Sequence, residues 1–146
     1  MKKIQAISKA SFDNNFTSEI MSSYNYACFI SILDIDNNEE KFDKTIDNFL
    51  QVKMWDIEEN EVGNGLVFYE KPSESELQKI VNFVNKHKDK TVFIVHCSAG
   101  ISRSGAVVRY ISEKFYDEVD FDFYKKNNKQ IQPNLYILKT LKKLDK

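Results

Sequence analysis

The most constraining feature of this chain is a short apolar run that leads through a glycine-containing loop into a helical pattern. Residues 91–95 (Thr-Val-Phe-Ile-Val) are β-branched or aromatic throughout, without polar alternation, which predicts a strand buried on both faces of a parallel sheet. Residues 105–115 contain good helix formers and few breakers, so a helix should begin immediately behind Arg103. A buried parallel strand followed by a helix is typical of an α/β fold.

Two more strands are predicted before this unit. A compact apolar run occupies residues 26–33 and ends at Asp34, and a looser alternation occupies residues 49–55. The polar stretches 36–41 and 127–130 are short enough to be ordinary solvated loops.

Helices are predicted on either side of the 91–95 strand. Ser73 and Glu76 form a capping-box pair that starts a helix ending near Lys88, and Asn134 can cap a last helix. The apolar positions of these helices are Leu77, Ile80, Val81 and Val84 in the first and Leu135, Leu138 and Leu141 in the last. The alternation of strands and helices predicts a single-domain α/β fold with a largely parallel central sheet flanked by helices.

The composition fits one globular domain. With 146 residues, of which 42% are apolar, the chain is long enough for one substantial core and too short for two ordinary domains. Its 21 basic and 22 acidic residues nearly cancel, so no nucleic-acid partner and no anionic membrane surface are expected. Polar residues interrupt segment 4–12 and no long apolar run occurs, so neither a signal peptide nor a membrane span is expected.

Cysteine and histidine are scarce. Cys28 and Cys97 are too few for a disulfide framework, which favours a reducing compartment and a cytoplasmic location. Cys28 lies in an apolar strand and is interpreted as a small buried hydrophobe; oxidative pairing with Cys97 is the alternative. His87 stands among lysines at a helix end and is expected to be exposed. Since His96 is the only other histidine, no His-based metal centre is expected.

The loop between the 91–95 strand and the following helix, residues 96–104 (His-Cys-Ser-Ala-Gly-Ile-Ser-Arg-Ser), is called the cysteine loop below. Ligands of open α/β sheets bind beyond the carboxyl ends of strands, where a helix start presents free N–H groups. Five residues separate Cys97 from Arg103, enough to wrap backbone amides around phosphate oxygens, and the planar fork of Arg103 can bind two of them. Gly100 permits a backbone conformation denied to most residues. The expected phosphate-binding residues are Ser98, Ala99, Gly100, Ile101, Ser102 and Arg103.

Cys97 is the expected nucleophile of this loop. The amides and guanidinium that hold a dianion also stabilise a negative sulfur, so the pKa of Cys97 should fall from about 8.5 toward roughly 3.5–7.5. Attack on phosphorus gives a phosphocysteine intermediate, and Ser104 is placed to hydrogen-bond the departing thiolate. His96 is better suited to orienting the loop than to acting as a base. A structural cysteine in a glycine-bearing turn is the alternative, and the combined context argues against it.

The cysteine loop resembles the signature loop of the protein tyrosine and dual-specificity phosphatases. Residues 73–95 also resemble the helix and strand before that loop in the small dual-specificity group, and Pro133-Asn134 resembles a short motif near their ends. The resemblance covers most of residues 26–144 and implies that residues 1–146 form a single phosphatase domain with four or five central strands. It further implies a phosphocysteine mechanism without a metal or other cofactor, and a general-acid aspartate on a separate mobile loop.

Asp56 is the predicted general acid. A positioned carboxylic acid that protonates the leaving group typically contributes about 10²–10⁴ in rate. Asp56 follows the 49–55 strand and opens the acidic, glycine-containing loop 56–65, called the acid loop below. Trp55-Asp56 resembles the acid loop of the tyrosine phosphatases, but without the proline that those enzymes place between the two. Rival carboxylates on the same loop are Glu58, Glu59 and Glu61. Gly63 and Gly65 are interpreted either as hinges that let the loop close over substrate or, more simply, as parts of a turn.

The predicted function is hydrolysis of phosphotyrosine, extending to phosphoserine and phosphothreonine, on a phosphorylated protein substrate by a monomer. The loop side chains Ser98, Ala99, Ile101 and Ser102 carry no charge. Phosphatases of this family that act on inositol lipids or RNA 5′-phosphates often carry Lys or His there, so those substrates are disfavoured. Further alternatives are a phosphate-binding module without effective catalysis, a rhodanese-like sulfur carrier and a thiol-dependent reductase.

Overall fold

The computed structural model describes residues 1–63, 65 and 68–146, and a four-stranded parallel sheet lies at its centre. The strands are β1 (Lys3–Ser8), β2 (Ala27–Leu33), β3 (Phe49–Lys53) and β6 (Val92–Cys97). Their order across the sheet is β1-β6-β2-β3, and every neighbouring pair is parallel. This sheet and the helices around it confirm the predicted single-domain α/β fold.

Helices cover both faces of the sheet. One face carries α1 (Lys9–Asn15) and α2 (Ser18–Ser23). The other carries α3 (Glu74–Lys86), α4 (Arg103–Lys114), α5 (Phe121–Asn127) and α6 (Leu135–Leu144), with a 3₁₀ turn at Tyr116–Glu118. No helix in the described part of the chain is both long enough and apolar enough to cross a bilayer.

Burial explains why β2 is apolar at every position. All seven of its residues are buried, since the strand lies inside the sheet and both faces are covered. Ala27 and Phe29 belong to the core under α1 and α2, whereas Cys28, Ile30 and Ile32 belong to the core under α3, α4 and α6.

The predicted elements are found with small differences in their ends. β3 ends at Lys53, two residues before the predicted end, and β1 was not predicted at all. The caps of α3 and α6 are confirmed, because Ser73 Oγ accepts from the N–H of Glu76 (3.1 Å) and Asn134 Oδ1 accepts from the N–H of Ile137 (3.0 Å).

Within the acid loop, β4 (Glu61–Val62) pairs antiparallel with β5 (Phe68–Tyr69), which lies beyond the loop. The ring of Trp55 packs edge-on against Tyr69, with centroids 5.1 Å apart. Gly65 has a φ of +73°, which is typical of a turn residue. A hinge role for Gly63 or Gly65 stays a prediction.

The prediction that His87 is exposed is wrong. Its side chain is only 2% exposed, because it caps the end of α3 against the loop before β3. His87 Nε2 lies 3.0 Å from the carbonyl oxygen of Asp47, and its ring packs on Phe83. Burial lowers the pKa of His87, although Asp47 opposes that shift.

Segment 127–130 is a solvated loop only in part, since Lys129 and Gln130 are exposed but Asn127 is the last residue of α5. Asn128 is buried and hydrogen-bonds the outer edge of β1, accepting from the N–H of Ala6 (2.8 Å) and donating to the carbonyl of Ile4 (2.9 Å). The side-chain amide of Asn128 thereby provides hydrogen-bond partners for backbone groups that this edge strand would otherwise leave unpaired.

Cys28 and Cys97 lie too far apart to pair. Cys28 is level with Phe93 of β6, four residues before Cys97, which corresponds to about 13 Å along the strand. A disulfide needs Cα atoms within about 7 Å. Burial also raises the pKa of Cys28, so the interpretation as a buried hydrophobe holds.

Candidate active site

The cysteine loop lies at the carboxyl end of β6, between the ends of β1 and β2. Ser8, the last residue of β1, is level with Cys97, and Ser31 of β2 is level with His96. The loop passes directly into the predicted helix α4, which begins at Arg103 itself and not immediately behind it. Ser102, the N-cap residue of α4, makes no side-chain cap bond, so this side chain leaves the first helical N–H groups unoccupied.

Cys97 is 3% exposed, and its Sγ lies 3.1 Å from Ser104 Oγ. Burial alone raises the pKa of the Cys97 thiol. Hydrogen bonds from the Ser104 hydroxyl and from the backbone N–H groups of Ser104, Gly100 and Ile101 outweigh it, so the net pKa lies below the usual value. The direction agrees with the one expected from the sequence.

Gly100 is required by its backbone and by its surroundings. Its φ is +75°, in the left-handed region that side chains rarely adopt. A Cβ at this position would lie 2.5 Å from the carbonyl carbon of Ile7 and 2.8 Å from the nitrogen of Ser8. The loop therefore packs directly against the end of the β1 backbone.

Three carbonyl groups on the outer rim of the cysteine loop are held by the segment before α6. Gly100 O accepts from Gln130 Nε2 (3.1 Å), Ile101 O from Gln132 N (2.9 Å) and Ser102 O from Asn134 N (3.1 Å). With their carbonyls engaged outside, the peptide units of the loop are fixed, and the N–H groups of Gly100 and Ile101 are directed to Cys97.

Arg103 is 4% exposed and is oriented by groups from three parts of the chain. Its Nη1 donates to Asp34 Oδ1 (2.8 Å) and to the carbonyl of Met54 (2.6 Å), and its Nη2 donates to Ser98 Oγ (3.0 Å). Its Nε is buried and has no hydrogen-bond partner among the described residues. The guanidinium is thus fixed in place by three of its five N–H groups, and Nε–H and one Nη2–H remain for an anion.

His96 is buried beneath the loop and does not reach a position to act as a base. Burial lowers its pKa to about 4, so the ring is neutral at physiological pH. Its Nδ1 lies 3.3 Å from the carbonyl oxygen of Cys97, which can only accept, so Nδ1 carries the proton. Its Nε2 therefore accepts from Ser31 Oγ at 2.6 Å. The ring packs 4.3 Å from Phe12, and these contacts suit an orienting role.

Asp56 lies beside the cysteine loop. Its Oδ1 accepts from Ser102 Oγ at 2.7 Å and from Asn134 Nδ2 at 3.0 Å. Its side chain is exposed. The two hydrogen bonds connect the start of the acid loop to the mouth of α4 and to the cap of α6.

The rival carboxylates take other positions. Glu58 Oε1 accepts a hydrogen bond from the N–H of Leu135 at the start of α6, so this carboxylate has a structural contact. Glu59 and Glu61 are exposed. Among residues 1–63, 65 and 68–146, no group of three or more His, Cys, Asp or Glu is placed to hold a metal ion.

An open groove of about 1150 Å³ adjoins the site and is called the side groove. It runs between the acid loop and the segment that leads into α6, and Ser102 of the cysteine loop is one of its lining residues. One wall carries Asp56, Glu58, Glu59 and Glu61, and the other carries Lys139 and Lys142 beside apolar residues. Cys97 is not part of the groove lining, so the groove extends the site sideways.

Sequence reasoning assigned no role at the site to Asp34, Ser31 or the Asn134 side chain. Asp34 could have been found, because it directly follows a buried parallel strand and so lies at the edge where ligands bind. Ser31 and Asn134 reach the site through contacts 65 and 78 residues apart, which no local pattern reveals.

The chain resembles known proteins over nearly its whole length. Residues 11–146 match the family model described as "Dual specificity phosphatase, catalytic domain". A protein of Amsacta moorei entomopoxvirus that is named as a tyrosine-protein phosphatase, AMV078, is 40% identical over 63 residues, which are 40% of this chain and 37% of the viral protein. The match therefore spans little more than a third of that relative.

Solved structures show the same fold at low identity. The Cydia pomonella PTP-2 phosphatase matches with a TM-score of 0.54 and 17% identity, covering 98% of this chain and 86% of that one. Human DUSP28 matches with a TM-score of 0.57 and 13% identity, covering 97% of this chain and 90% of that one.

Proposed function

The chain belongs to the dual specificity phosphatase family, and we propose that it hydrolyses phosphotyrosine in proteins through a phosphocysteine intermediate, with phosphoserine and phosphothreonine as further substrates. One observation carries the proposal. The Nε of Arg103 is buried without a partner among the described residues, in the same loop as a thiol of lowered pKa. An unsatisfied buried donor is costly, and a phosphate oxygen supplies the missing acceptor.

The first chemical step forms the phosphocysteine. The thiolate Sγ of Cys97 attacks phosphorus while the P–O bond to the tyrosine oxygen breaks. The electron pair of that bond stays with the tyrosine oxygen, which takes a proton from the Asp56 carboxyl and leaves as a phenol. Arg103 and the loop N–H groups stabilise the charge on the three remaining phosphoryl oxygens.

The second step returns the enzyme to its starting state. The Asp56 carboxylate takes a proton from water as the water oxygen bonds to phosphorus. The S–P bond breaks, its electron pair returns to Sγ, and hydrogen phosphate leaves. Ser104 Oγ, 3.1 Å from Sγ, stabilises the departing thiolate by a hydrogen bond.

The surroundings of the site support a protein substrate over an inositol lipid or RNA. The cysteine loop carries neutral side chains between Cys97 and Arg103, and the acid-loop wall of the side groove carries four carboxylates. These carboxylates repel a polyanion, whereas a polypeptide presents a single phosphate. The side groove also provides space for residues that flank the phosphotyrosine.

We also propose that the protein works as a monomer in the cytoplasm, without nucleic-acid or membrane partners. A thiolate nucleophile has to stay reduced, which a reducing compartment ensures. The net charge of −1 gives no general attraction to a polyanionic partner.

The test is turnover of a phosphotyrosine peptide in the presence of a chelator. The wild type should be active, and acid quenching during turnover should trap phosphate on Cys97. Cys97→Ser should show no turnover and should still bind tungstate. Arg103→Lys should lose about 100-fold or more, because a point charge cannot bind two oxygens in a fixed plane.

Turnover by Cys97→Ser would exclude the phosphocysteine route. A wild type that binds tungstate but turns over no substrate would instead identify a phosphate-binding module. A larger kcat/KM for an inositol phospholipid or an RNA 5′-phosphate than for the peptide would show that the proposed substrate class is wrong.

A further inference from the structure

We propose that Asn134 is a positioning residue that determines which carboxyl oxygen of Asp56 carries the catalytic proton. The inference rests on the proposed role of Asp56 as general acid and extends it to the residue that orients the acid.

Asn134 connects three parts of the site. It is 4% exposed, and its Nδ2 donates both to Asp56 Oδ1 (3.0 Å) and to the carbonyl of Ile57 (3.1 Å). Its Oδ1 accepts from the N–H of Ile137, and its own N–H donates to the carbonyl of Ser102. The acid loop, the cysteine loop and the start of α6 therefore meet at this one residue.

The orientation of the Asn134 amide is determined by its partners. A backbone N–H, that of Ile137, can only donate, so the atom facing it must be the amide oxygen. The NH₂ group then faces Asp56 and the carbonyl of Ile57, which both accept. Glu58, which accepts from the N–H of Leu135, holds the same stretch of the acid loop against α6.

This arrangement selects one oxygen of Asp56. Oδ1 receives two hydrogen bonds, from Ser102 Oγ and from Asn134 Nδ2. The Ser102 hydroxyl can reverse and accept, but the nitrogen of a primary amide cannot. Asn134 therefore keeps Oδ1 in the acceptor role, and the acidic proton resides on Oδ2, the oxygen that remains for the leaving group.

Two variants separate this role from the helix cap. Asn134→Asp preserves the size and an acceptor for the Ile137 N–H, but replaces the donor next to Asp56 with a second acceptor. Asn134→Ser also preserves a good cap, and its shorter side chain does not reach Asp56. If either variant unfolds at the assay temperature, the other provides the test.

The readout is the dependence on the leaving group. The phenolate of phenyl phosphate is a poor leaving group unless it is protonated. With this substrate both variants should lose about 10-fold or more in kcat, with KM changed less than about 3-fold. With 4-nitrophenyl phosphate, which needs little protonation, the loss should stay below about 3-fold. Asn85→Ser, an exposed Asn on α3 that contacts Asp145, is the matched control and should match the wild type on both substrates.

A double-mutant cycle with Asp56→Asn completes the test. If Asn134 acts through Asp56, Asn134→Ser should add less than about 2-fold in the Asp56→Asn background. Equal losses on both substrates, or a full additional loss in that background, would show a structural role and overturn the inference. If Asp56→Asn itself shows no dependence on the leaving group, the proposed acid is wrong and the inference falls with it.

Discussion

The cysteine loop and the acid loop lie side by side at the carboxyl edge of the sheet, but they are held in place by different means. In the cysteine loop, Cys97, Arg103 and Ser104 are buried, Gly100 packs on the β1 backbone, and three carbonyls are held from outside. In the acid loop, Asp56 and Glu58 are exposed and are held by a few hydrogen bonds that all involve side chains.

The difference matches the work that each loop does. A phosphate cradle has to be preorganised, because donors that must reorganise during the reaction stabilise charge poorly. A general acid has to approach and release a bulky substrate, so a weaker attachment at the surface suits it. We therefore expect substitutions in the cysteine loop to impair activity by changing the conformation of the whole loop. Substitutions in the acid loop should impair activity only where they remove a particular contact.

The largest effect should come from the pair Gly100→Ala and Gly65→Ala, two glycines with nearly the same positive φ. At Gly100 the new methyl group meets the Ile7 backbone, so the loop must move, and turnover should fall by about 10³-fold or more. At Gly65 a Cβ would have no atom of another described residue within 4 Å, so the conformational penalty of about 1–2 kcal/mol is the expected cost. Thermal unfolding measures the stability of each variant, and turnover of a phosphotyrosine peptide measures its activity.

Unchanged turnover in Gly100→Ala would contradict the preorganised loop. A large loss of turnover in Gly65→Ala, without loss of stability, would instead support the hinge interpretation of this glycine.

The next effect is expected for Asp56→Asn, with Glu59→Gln as its control. Asp56→Asn should lose about 100-fold or more with a phosphotyrosine peptide and much less with 4-nitrophenyl phosphate, because only the first leaving group needs a proton. Glu59 is exposed on the same loop and makes no hydrogen bond or ion pair with the cysteine loop among the described residues, so Glu59→Gln should match the wild type. The reverse pattern would move the acid to Glu59.

The two loops also differ in how well the sequence predicts them. The cysteine loop was predictable because its chemistry lies in nine consecutive residues with a strand before and a helix behind. The caps Ser73 and Asn134 were predictable for the same local reason. The polar positions of β1 concealed a strand, because its pairing on β6 is not visible in residues 3–8 alone.

Contacts between distant segments could not be predicted. The bond from Asn134 to Asp56 depends on the position of α6 relative to the end of β3, which only the packed fold determines. His87 was misjudged for the same reason: its burial is produced by Asp47 and the loop before β3, not by the lysines around it.

A moderate effect should appear in the alkylation of Cys97 by iodoacetamide. The thiolate is the reactive form, and the lowered pKa of Cys97 gives a larger thiolate fraction at each pH than an ordinary thiol has. An ordinary thiol with a pKa of about 8.5 loses about 20-fold in rate between pH 8 and pH 6.5, and Cys97 should lose less. Ser104→Ala removes a hydrogen bond that lowers this pKa, so its profile should shift to higher pH.

Asp56→Asn should leave this alkylation profile unchanged, since the hydrogen bonds that lower the pKa of Cys97 come from the cysteine loop and not from the acid loop. A wild-type profile like that of free cysteine would contradict the lowered pKa, and a shifted profile in Asp56→Asn would show that the two loops are not independent.

The smallest effect is expected for Ser31→Ala, and it tests whether side chains or backbone hold the cysteine loop. Ser31 Oγ donates to His96 Nε2 at 2.6 Å, and its loss should reduce kcat by about 2- to 10-fold, the range of one net hydrogen bond. His96 keeps its contacts to the Cys97 carbonyl and to Phe12. The loop carbonyls also keep their partners in the segment before α6, so the cradle should persist.

Ser112→Ala is the control for Ser31→Ala, because this buried hydroxyl on α4 bonds only the carbonyl of Arg109 among the described residues. It should leave kcat unchanged. A loss in Ser31→Ala as large as that of Gly100→Ala would mean that His96, and not the hydrogen bonds to the rim carbonyls, determines the shape of the cysteine loop. The contrast between a backbone-held cradle and a side-chain-held acid would then fail, because both loops would depend on single side-chain contacts.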